Sequence, residues 1–382
     1  MRTLLVTGPG GAGSSTVAAA AAVRAARSGR STLLLGRQPS PVQGLDDEPG
    51  LQLGRISGTR AVADLWSAHS GALAGLAPHL TLPPATSVVP LPGSEELALL
   101  AALGDAEADL VVVDAGPLDD ALRLLALPAA LRWWTGLALP PTVRALAAVR
   151  TAAVGAGAVK RGPLDAALAV LPVVEGLLAR DRLADPTGTA VWLTAPARSS
   201  AVGALRSATT VLGLHGLRPA AVLARVLPTA GAGEWWEHRA AEQDDAVAGL
   251  GALAPVHAVP EATGDPADVP RALGLVEGLD LPTAGGTPAP EPRRGETGWQ
   301  LTVPLPFAER PQVSLTRWGD DLVVAVGEDR RSLRLDSLLR RCEVTGGRLA
   351  DPGSAQARLE VSFRPDPQQW PADLLAAEGR TS

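Results

Sequence analysis

The apolar residues of this chain follow two regimes. Up to about residue 280 they come as short, nearly unbroken runs: Thr3–Thr7, Ser31–Gly36, Ser87–Leu91, Leu110–Asp114, Ala190–Thr194, Ala220–Val226 and Val256–Val259. Stretches with helical spacing lie between most of them, beginning with an alanine-rich one from about Ser15 to Arg27. Apolar runs without alternation suit strands covered on both faces, and their alternation with helices predicts a parallel α/β sheet with helices on both sides. From about 119 to 183 the strand pattern stops. A helix-rich insertion is expected there, with Trp133, Trp134, Leu137, Leu139, Val143, Leu146 and Val149 apolar over several turns. Leu164, Leu168, Leu171, Val174 and Leu178 follow at helical spacing.

The second regime begins after a stretch rich in proline, glycine and charge, 283–298, which reads as an extended, flexible linker. Beyond it the period changes to two. Leu301–Leu305, Val313–Arg317, Leu322–Val326, Leu333–Leu335 and Leu359–Phe363 are short alternating runs, with Gly319-Asp320-Asp321 as a hairpin turn. The expected organisation is therefore an α/β domain over 1–282, the linker, a small all-β sandwich over 299–364 and a tail over 365–382.

Composition removes several classes. With 34 basic against 40 acidic residues the net charge is -6, so nothing favours nucleic acid. The single cysteine, Cys342, excludes a disulfide framework and a cysteine-based metal site, and the five histidines are scattered. No zinc, haem or iron–sulfur centre is expected. The strongly apolar stretch Trp133–Val143 lies between Arg132 and Arg144 and is too short to span a bilayer. The opening apolar run is also too short for a signal peptide. A cytoplasmic protein without stable membrane insertion is the expectation.

The candidate chemistry sits in Gly8-Pro9-Gly10-Gly11-Ala12-Gly13-Ser14-Ser15-Thr16. Glycines between a strand and a helix let backbone N–H groups converge on an anion at the positive end of the helix. Gly8, Gly10 and Gly13 also satisfy the dinucleotide fingerprint, which keeps an NAD(P)-binding protein among the alternatives. A short-chain dehydrogenase would need a tyrosine, and the chain has none. A glycine turn that holds no ligand is the third reading.

The loop resembles more closely the deviant phosphate loop of the ArsA-type ATPases, the anion-transporting and tail-anchored-protein-targeting P-loop family, G-K-G-G-x-G-K-[ST]-T. Four glycines and the hydroxyls of Ser15 and Thr16 match, while Pro9 and Ser14 stand at the two lysine positions. The run from Asp114 to Pro128 is similar to the family's switch II segment, with Leu118, Asp119 and Asp120 replacing Thr, Gly and His. Residues 191–228 resemble its later strand–helix–strand stretch, with Ala224 where an adenine-contacting asparagine is expected. Gln38 stands where the family has an aspartate. The segment from Trp299 to Phe363 resembles the small heat-shock (α-crystallin-like) module attached to some bacterial members.

The resemblance implies a P-loop NTPase-like fold and ATP with Mg²⁺ as ligands. Gly8, Gly10, Gly11, Ala12, Gly13, Ser14, Ser15, Thr16 and Asp114 are then the nucleotide-site residues, with Ser15 and Asp114 at the metal. It also implies a homodimer, or a heterodimer with an intact homologue, and a hydrophobic helical client. Trp133, Trp134, Leu137, Leu171 and Leu178 are the client-binding residues. Both positive charges of the loop are missing, which makes a degenerate site the leading reading and no residue a confident catalyst. Arg24, Arg37 and Arg123 are the conceivable replacements, and an active ATPase with an unconventional phosphate site is the alternative.

Overall fold

The computed structural model describes residues 2–76, 81–158, 172–228, 231–282, 286, 290–295 and 298–370. Its first part is a seven-stranded, wholly parallel sheet. The strands are β1 (Arg2–Gly8), β2 (Thr32–Gly36), β3 (Leu51–Arg55), β4 (Leu110–Pro117), β5 (Thr189–Pro196), β6 (Pro219–Val226) and β7 (Val256–Pro260), in the order β3-β2-β4-β1-β5-β6-β7. Leu4, Leu5, Val6 and Val111–Val113 are almost wholly buried, as expected for strands covered on both faces.

Two separate cores result. One face carries α1 (Ser14–Arg27) and α8 (Val269–Gly274), and there Ala18–Ala22 and Ala25 are fully buried. Small side chains let α1 lie close to the sheet and aim its first turn at the C-terminal end of β1. The other face carries α3 (Ser94–Asp105), α4 (Leu118–Ala138), α6 (Ser199–Leu214) and α7 (Glu234–Gly251) around Leu99, Leu103, Leu124 and Leu205. The remaining helices are α2 (Gly58–Leu76) and α5 (Pro141–Gly155), with a further helical stretch at 172–179. Among the described residues of the insertion there is no strand. No helix among the described residues is long and apolar enough to cross a membrane.

Two expectations about strands are corrected. Ser87–Leu91 is not a strand: Ala85–Ser87 form a 3-10 turn, and Val89 and Leu91 are 81% and 77% exposed. Pro90 and Pro92 offer no N–H to a neighbour, which prevents pairing there. The edge strand is instead β3, whose mixed sequence LQLGR carries no apolar run. Gly54 admits this strand, because a Cβ there would lie 2.4 Å from Leu35 Cδ2.

The second part is a sandwich of two antiparallel sheets. β10 (Val313–Trp318), β11 (Asp321–Val326) and β12 (Asp329–Arg334) form one sheet. The other has the order β13-β14-β9-β8, from β13 (Cys342–Ala350), β14 (Arg358–Pro365), β9 (Gly298–Pro304) and β8 (Arg293–Gly295). The hairpin turn between β10 and β11 lies where the sequence placed it, with Gly319 at φ 56°. β8 draws Arg293–Gly295, from the segment read as linker, into this sheet through Arg294↔Trp299. At the other end β14 runs to Pro365, and Trp370 packs on the sandwich core.

The sandwich docks on α4 and α6. Leu214 at the end of α6 is fully buried within the sandwich core. Gly213 makes the approach possible: a Cβ there would lie 2.4 Å from Pro306 Cδ and 3.1 Å from the Pro304 carbonyl oxygen. Thr210 Oγ1 donates to the Pro306 carbonyl at 2.6 Å, Arg331 Nη1 donates to that of Leu214 at 2.6 Å, and the Arg206 guanidinium lies 5.4 Å from the Phe307 ring centroid.

Candidate nucleotide site

The glycine loop joins β1 to α1, as the sequence predicted. The Ala12 N–H donates to the Pro9 carbonyl at 3.0 Å, closing a tight turn, and Gly13 precedes the helix at φ 87°. α1 has no side-chain cap and no acid in its first turn, so its N-terminal N–H groups and positive dipole end are open to an anion. Gly10, Gly11 and Gly13 face free space: a Cβ on any of them would meet no atom within 4 Å. Gly8 is held for a different reason, since a Cβ there would lie 2.2 Å from the Thr194 carbonyl oxygen. The shape of a phosphate cradle is therefore present.

Beside the loop, the C-terminal ends of β2, β3 and β4 enclose a cavity of about 490 Å³. It brings together Ser15, Gln38 and Asp114, and adds Gln43, Asp46 and Arg55 from the segment that closes it. Asp114 Oδ1 accepts the Gly116 N–H at 3.2 Å, fixing the carboxylate at the strand end. Ser15 and Asp114, the two residues that the resemblance assigns to the metal, thus line one cavity.

Charge is where the site departs. Among the described residues, one guanidinium, Arg55, and two carboxylates, Asp46 and Asp114, line this cavity. The three arginines considered as replacements for lysine are engaged elsewhere. Arg24 donates to the Val276 carbonyl. Arg37 donates to Asp120 Oδ2 at 2.7 Å and lies 3.7 Å from Glu96, and Arg123 is paired with the same two carboxylates. Asp120, which stands at the histidine position of the switch II pattern, pairs with both Arg37 and Arg123. Ala224, at the asparagine position, is fully buried in β6 and offers no polar contact. Among the described residues, then, none of the three arginines considered as lysine replacements is left without another partner.

Two sequence comparisons agree with this architecture. The anion-transporting ATPase family matches residues 1–53, which carry the glycine loop, and the HSP20-like domain found in ArsA matches residues 296–363. The chain belongs to the ArsA family of ATPases. The uncharacterized protein SCO2128 of Streptomyces coelicolor is 36% identical over 416 aligned positions, covering 97% of this chain and 99% of the relative. Protein Rv2184c of Mycobacterium tuberculosis is 32% identical, covering 74% and 70% respectively. ATP and Mg²⁺ are thus the ligands that the ArsA family as a whole implies.

The residues read as client-binding divide. Trp133 and Leu137 line a cavity between α4 and the sandwich. Trp134 points outward, 62% exposed, with its ring edge-on to Trp133 at 4.9 Å. Leu178 is half-buried, and its carbonyl accepts from Arg132 at 3.4 Å. Leu171 lies outside the described residues. Sequence reasoning missed Arg55, the one cation among the described residues that line the nucleotide-side cavity, because it closes a strand with no apolar pattern.

Proposed function

We propose that this chain is a binding rather than a hydrolysing member of the ArsA family. On this reading the nucleotide site is degenerate, and the chain works as a partner- or client-binding subunit of a dimer, with itself or with an intact homologue. The observation that carries the reading is the fate of the arginines. An open glycine cradle is retained, while Arg24, Arg37 and Arg123 are each bonded to another partner. Leaving a desolvated charged group without its partner typically costs about 2–5 kcal/mol, and here two lysines are absent at once. Support for partner binding comes from α4 and α5, where Trp134, Leu146 and Val149 are 62%, 70% and 67% exposed. Arg55 is the single feature that favours the competing reading, an ATPase with an unconventional phosphate site.

Titration of the full chain with Mg·ATP, together with a phosphate-release assay, tests the proposal. The expected outcome is no turnover and no binding at micromolar ATP, with Ser14→Lys recovering little of either. Micromolar affinity or hydrolysis that Ser15→Ala, Asp114→Ala or Arg55→Gln removes would establish the active reading instead.

A further inference from the structure

The cavity between α4 and the sandwich is about 700 Å³, within the roughly 300–1,000 Å³ span of small-ligand sites. Trp133 and Leu137 of α4 form one wall and Leu333 and Leu335 the other, with Trp318, 62% exposed, at the mouth. A charge inventory of the lining separates one residue from the rest. Asp320 pairs with Arg334 at 3.0 Å, Asp321 lies 3.6 Å from the same guanidinium, and Asp336 accepts the Leu338 and Leu339 N–H groups. Arg132 pairs with Asp181 at 2.7 Å. Arg331 has no carboxylate partner among the described residues: its one hydrogen bond goes to the Leu214 carbonyl. Burial, and Arg132 nearby, lower its pKa to about 10, as expected for a desolvated cation that lacks an anion.

A desolvated guanidinium without a counter-ion is costly, and its planar fork matches a carboxylate. Apolar side chains beside one such group, among charges that are otherwise paired or hydrogen-bonded, describe a receptor for a molecule with an apolar body and a single anionic head. We infer that this inter-module cavity binds a long-chain carboxylate, with the acyl chain between Trp133, Leu137 and Leu335 and the head group on Arg331. The assignment goes beyond the proposed function, because it uses neither the glycine loop nor the outward face of α4 and α5.

The test is calorimetric titration of the full chain with dodecanoate and with dodecanol, both below their aggregation limits, at pH 7.5. Dodecanoate should bind one per chain and at least about tenfold more tightly than dodecanol. Arg331→Gln should bring the two ligands to equal affinity. Because Arg331 also bonds Leu214, that substitution can disturb docking, so a second variant is needed. Gly136 lines the cavity, and a Cβ there meets no atom within 4 Å. Gly136→Phe should fill the cavity and abolish binding of both ligands while the protein stays folded. Equal wild-type affinities, no binding of dodecanoate, or full binding by folded Gly136→Phe would overturn the assignment. An apolar peptide with a free C-terminal carboxylate that binds where dodecanoate does not would likewise overturn the acyl ligand.

Discussion

His215 caps α6 beside Leu214, whose carbonyl accepts Arg331 from β12, so it lies in the contact between the two parts of the molecule. Burial is the main cause, and the Arg331 charge the second, of a pKa pushed down from 6.5 to about 3. The folded protein therefore holds the neutral imidazole, and the unfolded chain takes up the proton first. The stability tied to this group is complete above about pH 6.5 and falls as pH drops toward 3. At one pKa unit per 1.36 kcal/mol the loss by pH 5 is on the order of 2 kcal/mol. Carboxylates held below their usual range add losses only at lower pH: Glu48 by its hydrogen bond to Arg27, Asp109 by Ser31 and Asp185 by Thr187. Urea denaturation between pH 7 and 5 should thus show a drop in midpoint that His215→Leu flattens. An equal drop in the variant would remove His215 as its origin.

At the scale of elements, α4 does two things on two faces. Trp133 and Leu137 look toward the sandwich, while Trp134 looks out and is exposed, as are Leu146 and Val149 of α5. The double change Trp134→Asp, Leu146→Asp should therefore leave stability within about 1.5 kcal/mol, the upper worth of the Trp133–Trp134 edge contact. It should abolish self-association in sedimentation equilibrium and capture of an apolar helical peptide, yet leave dodecanoate binding intact. Unchanged capture would place the partner surface elsewhere. The elements themselves were legible to the extent that one pattern decided them. β1, β2, β4, β5 and β6 are buried on both faces and announce themselves as apolar runs, and the hairpin at Gly319 is marked by its turn residues. β3 was hidden because an edge strand needs no such run, and Ser87–Leu91 misled because prolines undo a pattern that apolarity alone suggests. The glycine loop was readable from residue types, since its cradle is backbone. The destination of Arg37 was not, because it depends on Glu96 and Asp120, which only the packing of α3 and α4 brings to it.

Over the whole molecule, the α/β part and the sandwich differ in what each owes the other. Both cores of the parallel sheet are built from residues before position 282, and neither draws on the sandwich. The sandwich core does draw on the other part, for it includes Leu214 from α6. Removing residues 283–382 should therefore leave a folded α/β fragment that has lost cover from one end of α6. Gly213, Leu214 and His215 become solvated, and the hydrogen bonds from Thr210 to Pro306 and from Arg331 to Leu214 are lost. Burial of a leucine-sized side chain is worth about 1.5–3 kcal/mol, and a shift of 1 kcal/mol moves Tm by roughly 2–4 °C in a chain of this size class. The fragment 1–282 should melt cooperatively several degrees below the full chain, with its helix and strand content kept and the acid sensitivity of His215 gone because that side chain is now in water. The fragment 290–382 should be the weaker one, since its core has lost Leu214 without replacement. A fragment 1–282 that fails to fold, as read by circular dichroism and proton chemical-shift dispersion, would show that the sandwich is structural support for the nucleotide fold rather than a module docked onto it.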